Sequence, residues 1–196
     1  GMLLNARQAA AEFGFISTIE FADLTTHTME SIQKLEKLNG HPFNWYDTQT
    51  LDPLLPITIS SVDNGNLAAS LYTLRAGTLA LLKLPLVDSQ LFSGLREHWQ
   101  LMLDSGAPAQ LVAHRLPLSS AAIEEWIAWT IAAENLAAFK ACDGLSIETA
   151  WWLRETHRRI AAINLLVREY LPWMCPEFEA LRALPQLPLD TTTSLE

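Results

Sequence analysis

Residues 40 to 70, GHPFNWYDTQTLDPLLPITISSVDNGNLAAS, gather His41, Asn44, Trp45, Tyr46, Asp47, Asp52, Asp63, Asn64 and Asn66 into a stretch that also holds three prolines. Helix propensity does not explain such a set, and a long ordered loop rich in aromatic and amide groups usually serves a function. Carboxylates and amides take neighbouring hydroxyls in pairs, and aromatic faces cover the apolar face of a sugar ring. Asp47, Asp63, Asn44, Asn66, Trp45 and Tyr46 supply both kinds of group, which suits a carbohydrate. A structural reading competes for part of the set, with Asp63 capping the following helix and Asp47 closing an Asx-turn.

Other chemistries leave little trace. There is no phosphate-cradling glycine loop, no nucleophile elbow and no Cys/His cluster at metal spacing, so neither metal nor cofactor is expected. His98, His114 and His157 are scattered, and His157, in the Arg-rich RETHRRI, reads as a surface histidine. Trp126 with Trp129 and Trp151 with Trp152 could form a stacking platform for sugars, yet aromatics at helical spacing are more often core, and they are read so.

The elements that must position the loop are helices. MLLNARQAAAEF predicts a first helix stopped by Gly14, and Ser17 with Glu20 offers a capping box for a second, running to about Leu38 and ended by Asn39 and Gly40. Ile19, Ala22, Met29, Ile32 and Leu35 form its apolar side. After the loop, NLAASLYTLRAGTLALLKL is apolar on several faces, which predicts a third helix buried nearly all round. A fourth is expected from Ser89 to Asp104, a fifth from Ser120 to Ala141, a sixth from Ser146 to Leu171, and a short turn from Pro176 to Ala183. ITISSV, residues 57 to 62, is the β-branched run, and it lacks an obvious partner. The fold class expected is all-α, in one domain of about six long helices.

Composition bounds the function. With 196 residues, 49% of them hydrophobic, the chain can build a sizeable core without disulfides or metal. Thirteen Lys and Arg against twenty-two Asp and Glu leave a net charge of -9, which argues against nucleic acid or an anionic membrane as partner. Cys142 and Cys175 are too few for a disulfide framework, and they point to a reducing interior. MLLNARQAAAEF has no uninterrupted apolar region of the signal-peptide kind, and no run approaches bilayer length, so a cytoplasmic location is expected. Gly1 before Met2 reads as a scar of tag cleavage.

The stretch from Gly40 onward closely resembles a segment of the cyclic β-1,2-glucan synthases that runs G-H-x-x-N-W-Y-D-T-x-T-L-x-P-L-x-P and then V-S-T-V-D-S-G-N-L-A. EFGFIST, before the second helix, resembles that family's D-F-G-Y/F-I turn, and EYLPWM near residue 170 resembles the end of a later helix. The present chain departs at Val62-Asp63-Asn64-Gly65-Asn66-Leu67, at Thr58, where an aromatic is usual, at Ser61, where Thr is usual, and at Pro42. The loss at position 58 puts one sugar-stacking contact in doubt.

The resemblance implies a great deal more than the residues do by themselves. Family members are very large inner-membrane proteins joining a glycosyltransferase domain, a middle glycoamylase-like domain and a phosphorylase-like domain, and this chain resembles the first half of the middle one. Such middle domains are (α/α)6 toroids of twelve helices that transglycosylate linear β-1,2-glucan into a ring. By the resemblance, His41, Asn44, Trp45, Tyr46, Asp47, Asp63 and Asn66 contact substrate or shape the loop, and β-1,2-glucan or a related glucose oligosaccharide is the partner. A retaining step needs two carboxyl groups about 5 Å apart, and no such pair is identified in this half, so catalytic residues stay unassigned and the module is expected to be incomplete as a catalyst. The alternative is a non-catalytic helical binding or assembly domain that keeps the loop for structural reasons. Half a toroid would expose apolar stripes, which predicts a homo-oligomer or association with other synthase segments.

Overall fold

A computed structural model describes residues 1–140 and 144–182. The chain is all-α: among the described residues six helices of eleven residues or more carry the fold, and the strands are two residues each. The described residues group into two compact units. No helix among them is long and apolar enough to cross a membrane.

The first unit comprises Gly1–Ala11 and Thr18–Lys83. Helix α1 (Met2–Glu12) buries Leu4 and Gln8, one turn apart, and helix α2 (Thr18–Lys34) buries Phe21. The Arg7 guanidinium on α1 donates to the Leu24 carbonyl and to Thr28 Oγ1 on α2, tying the two helices together. Helix α3 (Ser61–Leu81) buries Ser70, Leu74, Gly77 and Leu81, a single stripe at four- and three-residue steps. Gly77 lets α1 approach closely, because a Cβ there would overlap the Gln8 amide.

Two expectations for this unit are corrected. The second helix ends at Lys34 rather than near Leu38. Lys37 Nζ folds back to the carbonyls of Ile32, Gln33 and Leu35 at 2.6, 3.2 and 2.9 Å, taking up the acceptors at the helix end. The chain then forms a tight hairpin, strand β1 (Lys37–Leu38) against strand β2 (His41–Pro42), with Leu38 opposite His41. Asn39 and Gly40 have φ of 51° and 83°, the two positive values a type I′ hairpin turn requires. The third helix is not buried all round: Tyr72 is 78% exposed and Val62 69%. Much of its apolar character comes from Ala68, Ala69, Ala76 and Ala80, which are exposed and gain little from burial.

The second unit comprises Glu12–Ser17 and the described residues from Leu84 onward. Helix α4 (Ser89–Asp104) follows its predicted bounds, with Asp88 as cap accepting from the Leu91 N–H at 2.9 Å. A short helix, α5 (Ala109–Val112), precedes α6 (Ile123–Glu134), and α7 (Ile147–Tyr170), the longest among the described residues, comes before a short helix α8 (Glu179–Arg182). Both α4 and α6 pack on α7. The core joins Leu91, Phe92, Leu95, Trp99 and Met102 of α4 to Trp126 and Ile127 of α6 and to Leu153, Ile160, Ile163 and Val167 of α7. Phe92 stacks on Trp126 at 5.2 Å between ring centres.

Ser146 caps α7 as expected, accepting from the Thr149 N–H at 3.0 Å, and Pro172 follows its end. The fifth predicted helix is shorter than expected and is not capped by Ser120, because Ala122 holds the cap position and Asn135 ends the helix. A 3-10 turn follows at Ala137–Lys140, and the expected end at Ala141 lies outside the described residues. Cys142 and Ala183 also lie outside them, while Cys175 is buried. Gly14 has φ 72°, and its carbonyl lies so close to α4 that a Cβ on Gly94 would overlap it. Arg159, 1% exposed, donates from Nη2 to the same carbonyl at 3.1 Å.

Candidate functional site

The loop between β2 and α3 is held by side chains bonding to backbone. Asn44 makes its central tie: its N–H donates to the Thr58 carbonyl at 2.9 Å, and its Oδ1 accepts from the Ser60 N–H at 2.7 Å. Ser60 in turn caps α3, accepting from the Asp63 N–H at 3.1 Å. Asp63 is therefore not the cap of that helix but an exposed carboxylate in its first turn, where the helix dipole favours negative charge. Asn64 closes the base, donating from Nδ2 to the carbonyls of Pro42 and Ser60 at 3.1 and 3.0 Å.

Inside these ties lies a smaller turn. The Leu54 N–H donates to the Trp45 carbonyl at 3.0 Å and the Asp47 N–H to the Asp52 carbonyl at 2.9 Å, with Tyr46 bridged to Pro53. Tyr46 OH accepts from the Phe43 N–H at 2.6 Å and donates to the Glu36 carbonyl at 2.7 Å. Asp47 Oδ1 accepts from the N–H groups of Gln49 and Thr50 at 2.8 and 2.9 Å, an Asx-turn.

Those bonds to Thr50 and Gln49 hold the Asp47 carboxyl below its ordinary value. A folded value below the unfolded one means that the carboxylate stabilises the turn above the ordinary carboxylate range, a contribution lost as pH falls through the lowered folded value. The amide proton shifts of Gln49 and Thr50 should therefore titrate together with a midpoint below the usual Asp range, and Asp47→Asn should abolish the titration. A midpoint at the ordinary Asp value would contradict the turn geometry.

The predicted site residues thus separate. Asn44, Tyr46 and Asp47 turn inward to the backbone of the loop and, for Tyr46, also to that of Glu36. His41, Trp45, Asp63 and Asn66 are exposed, Trp45 to 68%. Between β2 and α3 lies a cavity of about 590 Å³ whose wall includes His41, Ile59, Asn64, Gly65 and Leu67. This places His41 at the cavity, while Asn44, Trp45, Tyr46, Asp47, Asp63 and Asn66 are not among its lining. Sequence reasoning passed over Ser60 and Asn64 as determinants of the loop; the signal was Ser60 three residues before Asp63 at a helix start.

In the second unit, Trp126 is core at 3% exposure, whereas Trp151 is 47% exposed and departs from the core reading. Trp129 Nε1 donates to the Arg115 carbonyl at 2.9 Å. His157 is not a free surface histidine: it is half-buried, its Nε2 lies 3.0 Å from the Glu134 carbonyl, and its ring stacks on Phe139. Burial pushes the His98 imidazole below its usual value, against the opposing effect of its bond to the Gly94 carbonyl. Among the described residues no group of three or more His, Cys, Asp or Glu is placed to hold a metal ion.

No protein-family model matches the chain. A stretch of 71 residues, 36% of the chain, is 41% identical to the cyclic beta-(1,2)-glucan synthase NdvB of Rhizobium meliloti (strain 1021). The matched stretch spans 2% of that synthase's length, so the chain is a partial relative of it.

Proposed function

We propose that this chain contacts β-1,2-linked glucose chains through the loop of residues 41–60 and the start of α3, in a role related to one part of a cyclic β-1,2-glucan synthase. Asn44, Tyr46 and Asp47 set the loop's shape, and His41, Trp45, Asp63 and Asn66 meet the sugar. The observation that carries this reading is Trp45, 68% exposed on a segment fixed by Asn44 on one side and Asp47 on the other. An aromatic face held out on a rigid backbone loses little entropy when a sugar ring stacks on it. The partial similarity to the synthase supports glucan as the sugar. The test is calorimetric titration with linear β-1,2-gluco-oligosaccharides, in which Trp45→Ala and Asp63→Ala should remove most of the heat.

In this reading the chain takes part in transglycosylation or cyclisation only together with further segments, and no residue is assigned as acid, base or nucleophile. The six long helices answer to half of a twelve-helix toroid, within a glycoamylase-like middle domain. Ile147 and Leu165, at 91 and 65% exposure, are the kind of uncovered side chains an open half would present. Light scattering should then find dimers or larger assemblies. A monodisperse monomer that binds no hydrophobic dye would contradict the half-toroid.

A second reading is favoured by a specific observation. The inward-turned side chains of Asn44, Tyr46 and Asp47 bond to the backbone of the loop and of Glu36, as they would in a non-catalytic helical domain that keeps the loop for structure. Absence of any heat with sugar would support it.

A further inference from the structure

The cavity beside β2 does not end at the loop. A second cavity, of about 360 Å³, is lined by Ala68, Leu71, Tyr72 and Arg75, and it shares Ala68 and Leu71 with the first. Each is within the size range of small-ligand sites, about 300–1,000 Å³. Ser61, Gly65, Ala68, Tyr72 and Arg75 follow one another at alternating four- and three-residue steps, so the two cavities form one groove along one face of α3.

We infer that this groove is an extended oligosaccharide site, with Tyr72 as a distal stacking surface and Arg75 as a distal donor to sugar hydroxyls. The inference rests on the proposed glucan reading of the loop and adds residues to it that neither the motif nor the aromatic loop contains. From Gly65 to Arg75 the helix rises by about 15 Å at 1.5 Å per residue, more than one sugar ring needs. The near end offers His41 and the Asn64 Oδ1, which accepts no hydrogen bond among the described residues. The far end offers Tyr72, 78% exposed, and Arg75, which forms no hydrogen bond or ion pair among the described residues. Between them the floor is Gly65, which has no side chain, and Ala68, which has only a methyl, so a ligand can lie close to the helix. A groove with polar groups at both ends and a planar ring beside an apolar floor matches the alternating hydroxyl and C–H faces of a sugar chain.

The experiment compares the linear β-1,2-linked glucose disaccharide with the hexasaccharide by calorimetry, on the full chain and on Tyr72→Ala and Arg75→Ala. Both positions are exposed on a helix, and alanine keeps helix propensity there, so folding should persist. The wild-type chain should bind the hexasaccharide more tightly than the disaccharide. Each variant should lose roughly three- to tenfold on the hexasaccharide, as expected for loss of one aromatic or charge-assisted contact, and nothing on the disaccharide. Equal wild-type affinity for both sugars would overturn the extended groove while leaving the loop reading in place. Equal losses on both sugars, or no loss on either, would also overturn it. A change of oligomeric state in either variant, seen by light scattering, would make this face of α3 an interface between copies instead. Failure of the wild-type chain to bind either sugar would remove both readings together.

Discussion

Gly94→Ala should lower the stability of the protein by about 3 kcal/mol, the upper end of overpacking costs, which corresponds to a fall in Tm of roughly 6–12 °C for a chain of this size. A Cβ at position 94 overlaps the carbonyl group of Gly14, which is backbone and cannot rotate away. Gly14 cannot retreat easily either. Its φ of 72° is set by the turn after α1, and a buried Arg159 guanidinium holds its carbonyl at 3.1 Å. Gly65→Ala makes the control, since a Cβ there meets nothing within 4 Å and the helix should gain up to about 1 kcal/mol. An unchanged melting temperature for Gly94→Ala would show that residues 13–15 do not lie against α4 as described.

Asn44→Ala should weaken glucan binding at least tenfold while lowering the melting temperature only slightly. The side chain accepts the Ser60 N–H at 2.7 Å, and Ser60 is half-buried, so its removal strands a backbone donor at a cost of about 1–3 kcal/mol. That cost falls on the loop, not on the helical core. The loop escapes it by opening, and Trp45, next in sequence, loses its fixed position. Asn44→Asp keeps an acceptor oxygen at the same atom and should retain most of the binding. The paired measurement is calorimetry for sugar and circular dichroism for melting. Wild-type affinity in Asn44→Ala would mean that the tie between positions 44 and 60 does not shape the contact surface.

Much of the helical scaffold could be read from local signals. Ser146 caps α7 and Gly14 ends the turn after α1 because short-range chemistry decides both, and α4 follows its predicted bounds. The helix-end reading of Asn39-Gly40 missed because the same dipeptide serves both as a helix stop and as a type I′ hairpin turn. What selects the hairpin is pairing of Lys37–Leu38 with His41–Pro42, and Lys37 capping α2 from beyond its end. The burial of α3 was overestimated because alanine counts as apolar in a sequence but demands little cover. Within the loop, Asp47 could be recognised as an Asx-turn residue, since its partners are two and three positions away. The Asn44 tie to Ser60 spans sixteen residues, and no local pattern announces it. The groove along α3 depends on which face the rest of the unit leaves uncovered, which periodicity alone does not determine.

The most direct measurement is calorimetric titration of the purified chain with linear β-1,2-gluco-oligosaccharides up to millimolar concentration. Saturable heat is expected with the wild-type chain, reduced at least tenfold in affinity by Trp45→Ala and by Asp63→Ala, with both variants melting as the wild type does. No heat at millimolar sugar, or undiminished heat in Trp45→Ala, would contradict a glucan-contacting role for the loop.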